Sequence, residues 1–184
     1  MVAVSVAAVL AGAGRASAWP NPPPIHHREG FALTVGVGPG GLVGTGGKDA
    51  LAGLGAGLGL AIKTTAGDDL LWMIKIDGES YLFRALDDQI KVNQQTILAA
   101  GAQLYVRKVL WIEGGLGAAV ARQRDRKTGL DDHVSTGIGA LFAVGYDLYR
   151  RESFVLAIAG CTGVGVYNKG MAAHGGIRLS VGWY

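Results

Sequence analysis

The chain has 184 residues, of which 49% are hydrophobic and 17% charged, an apolar-rich balance with enough length for one sizeable core. A net charge of +3 with scattered basic residues excludes a nucleic-acid binder, and Cys161, the single cysteine, excludes an intrachain disulfide framework. The 31 glycines sit within apolar alternation and not in polar tracts, which excludes low-complexity disorder.

Val2 to Leu10 is a run of small apolar residues, followed by Arg15 and then Ala16-Ser17-Ala18. An apolar run before a small-residue site is the pattern of a secretory signal peptide, expected over residues 1–18, although the basic residues that usually precede one are missing. Residues 19–29 hold Trp19-Pro20-Asn21-Pro22-Pro23-Pro24, a stiff extended linker expected in the periplasm. His26 and His27 follow it, but no third ligand stands at a metal-site spacing. No cofactor or metal site is therefore expected.

From Gly30 onward the sequence alternates with period two, the mark of strands between unlike environments. Phe31, Leu33, Val35 and Val37 begin it, and Ala52, Leu54, Ala56, Leu58 and Leu60 follow, with glycines between. Leu70, Trp72, Ile74 and Ile76 form a third strand that resumes through Tyr81 and Phe83. Asp77-Gly78 interrupts that strand with a hairpin-like pair, and the apolar face changes parity across it. A bulge or bend in one long strand is expected there, because a true turn would make the strand number odd. Thr96 to Val106, Leu110 to Val120, Val134 to Leu148 and Phe154 to Val166 supply four more strands. The eighth runs to the last residue, with Ile177, Leu179, Val181 and Trp183 on one face and Arg178, Ser180 and Gly182 on the other.

The expected connections alternate in length. Those around Thr64 to Asp68, Arg107-Lys108 and Tyr149 to Glu152 are short. Those from Pro39 to Asp49, Leu86 to Asn93, Gln123 to His133 and Asn168 to Ala172 are mostly longer and more polar. Tight turns at one end and longer loops at the other are the asymmetry of a membrane barrel. All five prolines lie at or before Pro39, which suits a closed sheet that needs every backbone N–H in its ladder.

The second face decides between a membrane and a soluble barrel. It is mostly Gly, Ala and Ser, with occasional Lys63, Lys75, Gln103, Arg107, Glu113, Asp147 and Arg178. A water-exposed exterior would carry more charge, whereas a narrow eight-stranded lumen suits small residues and a few ion pairs. Arg107, Glu113, Asp147 and Arg178 are the expected interior ion-pairing residues. Phe31, Trp72, Trp111, Tyr146, Phe154, Trp183 and Tyr184 are expected as interfacial aromatics at the periplasmic end, with Tyr81, Phe83 and Tyr167 at the other.

On these features the stretch from Gly30 to Tyr184 resembles the small eight-stranded outer-membrane barrels of the OmpA/OmpX type. The resemblance implies an all-β fold, a closed antiparallel eight-stranded up-and-down transmembrane β-barrel over residues 30–184. It also implies a bacterial outer-membrane location after export, and a C-terminal strand read by the barrel-assembly machinery. Trp183 keeps the phase of that assembly signal and Tyr184 stands one step off it.

Other motifs carry less. Gly53 to Gly59 fits no dinucleotide-binding frame, and Gly46-Gly47-Lys48-Asp49 lacks a phosphate loop's upstream glycine and hydroxyl residue. His133 and Ser135 share one face and would suit a lipid-modifying hydrolase, yet their parity points to the lumen and not to the membrane. Arg122, Arg124, Arg126 and Lys127 cluster where lipopolysaccharide phosphates could be met. The expected function is a structural or surface-interaction role with a side-chain-filled lumen, no catalytic residue, and outer-membrane lipid and lipopolysaccharide as partners. The alternatives are that hydrolase, an exported lipocalin-like binding barrel, and a narrow pore.

Overall fold

A computed structural model describes residues 31–45, 51–84, 90–125, 131–151, 153–168 and 170–183. The expected signal peptide and linker, and Tyr184, lie outside the described residues. Eight strands follow the alternation: β1 (Phe31–Thr45), β2 (Leu51–Thr65), β3 (Leu70–Arg84), β4 (Ile90–Tyr105), β5 (Leu110–Asp125), β6 (Asp131–Arg151), β7 (Phe154–Tyr167) and β8 (Gly170–Trp183). Each pairs antiparallel with the next, and β1 pairs with β8, so the sheet closes on itself. The closing register runs from Leu33 opposite Trp183 to Thr45 opposite Met171. Gly170, which opens β8, takes a φ of 144°, a conformation that only glycine adopts cheaply.

Closure sorts the side chains. Ala32, Ala61, Met73, Ile97, Ala119, Leu141 and Ala159 are buried inside. Phe31, Leu58, Ile74, Leu116, Ile138 and Ile177 point outward and are 52% to 76% exposed. Among the described residues, Arg122 and Arg151 are the charged side chains on the outward face of the strands. This is the inverse of a soluble domain, which keeps its charges outside.

The strands run further than expected. β1 continues to Thr45 through the expected loop at Pro39, β4 starts at Ile90, and β5 and β6 extend to Asp125 and from Asp131. Consecutive strand ends are separated only by residues 46–50, 66–69, 85–89, 106–109, 126–130, 152–153 and 168–169. The expected contrast between short and long connections is therefore small. Polar and glycine-rich stretches resemble loops, but a neighbouring strand in register holds them extended. Pro39 leaves its trace within β1: it lies opposite Ala56 of β2, while Gly38 and Pro39 drop out of the ladder to β8, as a residue without N–H must on one side.

Asp77-Gly78 is neither a bend nor a turn. β3 keeps an unbroken register there, with Asp77 opposite Gly59 and Ile97, and Gly78 opposite Leu58 and Thr96. The apolar parity changes because Tyr81 points into the lumen, buried, with its hydroxyl donating to the Gly41 carbonyl at 3.0 Å. The register shifts lie elsewhere, between Gln123 and Arg124 against β6 and between Asp147 and Tyr149 against β7. The second lets Asp147 and Arg150, three residues apart, share the inner face.

Candidate functional site: the charged lumen

The inward positions build a polar column through the barrel. Glu113 of β5 accepts from Lys75 at 2.7 Å and from Lys63 at 3.1 Å, and Lys63 also meets Gln103. Lys75 continues to Asp77 at 3.4 Å, Asp77 to Arg178 at 3.2 Å, and Arg178 to Glu79. His174 lies 3.5 Å from Asp77 on one side and 2.7 Å from Gln95 on the other. At the end nearer residues 66–69 and 106–109, Asp147 accepts from Trp111 Nε1 at 2.8 Å and Tyr105 at 3.2 Å, and pairs with Arg150. Four cations (Lys63, Lys75, Arg150, Arg178) thus face four carboxylates (Asp77, Glu79, Glu113, Asp147), all held inside. Buried charges persist only when paired in this way.

Glycine makes the room. A Cβ at Gly57 would strike the Arg178 guanidinium, one at Gly40 the Glu79 carboxylate, one at Gly163 the His174 ring and one at Gly145 the Trp111 ring. Large side chains are therefore seated against opposing glycines, the small-and-large complementarity that a narrow barrel demands. Apolar clusters fill the remaining space, one around Leu71, Tyr105, Trp111 and Val155, another of Ile97, Ala99, Ala119 and Leu141. Among the described residues, small cavities of about 40 and 20 Å³ are both lined by Thr34, Lys63, Trp111 and Ser180. Each holds a few water molecules at most.

Three of the four expected lumen residues are inside, but they do not pair with one another. Glu113, Asp147 and Arg178 each take other partners, and Arg107 is exposed in the 106–109 turn, beyond the end of β4. The expectation missed Asp77, Glu79, Gln95, His174 and Arg150 as members. The odd positions of β3 from Leu71 to Tyr81 carry Asp77 and Glu79 inward, a parity obscured by the hairpin-like pair. His174 has the parity of Arg178, and Arg150 becomes inward only through the register shift.

Of the expected interfacial aromatics, Phe31, Trp72 and Trp183 point outward and are about half exposed or more. Tyr146 and Phe154 are half-buried at the same end. Phe154 lies between Tyr149 and Trp183, edge to face, with ring centroids 6.3 Å away on each side. Trp111 does not belong to this belt: it is buried, because odd positions of β5 face the lumen and Asp147 binds its indole. Tyr81 and Tyr167 also turn inward, so they form no second outward girdle; the Phe83 side chain lies outside the described residues. Ser135 is half-buried with inward parity, and the His133 side chain lies outside the described residues.

Neither a family model nor a curated protein matches this sequence. Solved structures do. Ail, the attachment invasion locus protein of Yersinia pestis, in complex with the heparin analogue sucrose octasulfate, superimposes with a TM-score of 0.58 at 12% identity, over 83% of this chain and 97% of Ail. Neisserial surface protein A gives 0.56 at 14% identity, over 84% of this chain and 99% of that one. Both are small eight-stranded outer-membrane β-barrels. This chain has their fold. Identities this low carry the architecture alone, and residue roles must come from this chain's own lumen and surface.

Proposed function

We propose that the protein is an integral outer-membrane barrel that acts through its surface, with a lumen closed by its own ion pairs. The carrying observation is the inverted distribution of charge: apolar side chains stand exposed around the barrel while eight charged groups are paired within. An exterior of this kind is stable against hydrocarbon and aggregates in water. A spanning strand needs about 9–11 residues, and strands of 14 to 21 residues leave length to project beyond a bilayer. The structural neighbours support the location, and the Ail complex with a sulfated ligand favours a surface role over a catalytic one. Arg122, exposed near the end of β5, is suited to contact anionic groups such as lipopolysaccharide phosphates.

The other functions are less well supported. Inward parity at Ser135 disfavours a hydrolase acting on membrane lipid. A lumen spanned by paired charges and packed with apolar clusters disfavours a steady pore. A cleaved signal over residues 1–18, a periplasmic linker over 19–29 and recognition of β8 by the barrel-assembly machinery belong to the same proposal. Fractionation of expressing cells tests it: the protein should sediment with outer membranes and need detergent for release. Release by osmotic shock alone would favour the soluble binding barrel.

A further inference from the structure

Asp77, Glu79 and His174 bring two carboxylate oxygens and one imidazole nitrogen within 4.8 Å of one another inside the barrel. Their side chains are at most 1% exposed. Gln95 fixes the histidine ring. Its Nε2 donates to the Ala172 carbonyl at 3.1 Å and contacts the Tyr167 hydroxyl at 2.8 Å, so its Oε1 is the atom that faces His174 Nδ1 at 2.7 Å. A carbonyl oxygen only accepts, which places the ring proton on Nδ1. In a neutral ring the Nε2 lone pair then faces Asp77 Oδ1 at 3.5 Å. A lone pair aimed at a buried carboxylate is repulsive unless a cation lies between them.

His174 Nε2 and Glu79 Oε2 have no hydrogen-bond partner among the described residues, and Asp77 Oδ2 has only the Lys75 ammonium, at 3.4 Å. Arg178 does not fill the gap, since its Nη2 alone engages the two acids while Nε and Nη1 bond to nothing described. Asp77 and Glu79 share the guanidinium of Arg178, and Asp77 also faces Lys75 at 3.4 Å, an ammonium it shares with Glu113.

We propose that His174 Nε2, Asp77 and Glu79 form a binding site for a divalent first-row transition ion, of the Zn²⁺ or Mn²⁺ kind. One imidazole with two carboxylates is a borderline donor set that suits these ions. Gln95 plays the part of the outer acceptor that a metal-bound histidine requires on its other nitrogen. Donors about 2.1 Å from an ion stand about 3.0–3.5 Å apart, so the present spacing must contract slightly. Gly40 and Gly163, which lie against Glu79 and His174, keep the space in which the two ligands sit.

The test uses Zn²⁺ as probe on the full chain, folded in detergent and stripped by chelator. Calorimetry should find a site of one ion per chain that depends on His174, and unfolding should move to higher temperature on its filling. His174→Gln, close in size and still able to hydrogen-bond Gln95, should lose roughly tenfold or more of that affinity. Nitrogen NMR of labelled histidine should show Nε2 without a proton once Zn²⁺ is bound. Absence of uptake, or uptake unchanged in His174→Gln and so owed to His26, His27 or His133, would overturn the proposal. So would a proton on Nε2 that Zn²⁺ does not displace, since His174 would then be an imidazolium paired with Asp77. Should the variant fail to fold, the histidine spectrum of the unaltered chain decides between those outcomes.

Discussion

Lys75 of β3 and Glu113 of β5 meet across the lumen at 2.7 Å, although β4 lies between their strands in the wall. Lys63 reaches the same carboxylate from β2, so one acid ties β5 to two strands with which it shares no ladder. Glu113→Ala would remove the carboxylate that two buried ammonium groups share, leaving Lys63 with Gln103 and Lys75 with Asp77. Removing one partner of a buried pair costs about 3–5 kcal/mol, and thermal unfolding in detergent should show a loss of that size. A loss under about 1 kcal/mol, the range of exposed pairs, would mean that the column is hydrated and open.

The seating of Trp111 against Gly145 gives a second test. Gly145→Ala drives a methyl group into the indole ring, whereas Gly160 faces open space on the outer side. Overpacking of this kind costs about 1–3 kcal/mol. Denaturant unfolding should separate the two substitutions, with Gly160→Ala close to neutral. Equal effects would show that interior packing does not set the stability.

Trp111→Phe keeps an aromatic ring but deletes the donor to Asp147 and part of the buried indole. Asp147 retains Tyr105 and Arg150, so the expected loss is at least that of a hydrogen bond to a charged group, about 1.5–3 kcal/mol, to which the small cavity adds. The companion change Trp72→Phe, on the outer face, should cost less in the same unfolding measurement.

Ile138 is 73% exposed on the outward face of β6. Ile138→Arg would be harmless on a soluble barrel and improve its solubility. Facing lipid near the bilayer middle, it should cost about 2–4 kcal/mol of folding stability in vesicles. Folding titrations into lipid vesicles distinguish the two outcomes.

The eight strands and their inner and outer faces were legible because period-two alternation survives across nearly the whole chain. The strand ends were not, because extension beyond the apolar band depends on pairing with a neighbour, which composition does not record. The lumen was half legible. Inward parity identified Glu113, Asp147 and Arg178, yet pairings across the barrel depend on shear and side-chain reach, not on spacing along the chain. Asp77 and Glu79 were hidden by a dipeptide that favours turns when isolated but lies here in an unbroken register between two strands. Arg150 was hidden by a register shift at Leu148, which alternation alone cannot reveal. Trp111 was misassigned because a tryptophan at a strand end suits an interface or a lumen equally, and its partner Asp147 lies a strand away.

The inside-out arrangement itself is tested most directly by tryptophan quenching in vesicles whose acyl chains carry bromine, using single-tryptophan variants that retain either Trp72 or Trp111. The bromines should quench Trp72 strongly, since it faces outward at 56% exposure, and leave Trp111, at 5%, nearly untouched. Equal quenching of both, or quenching of neither in a folded chain, would contradict a lipid-facing exterior around a filled lumen.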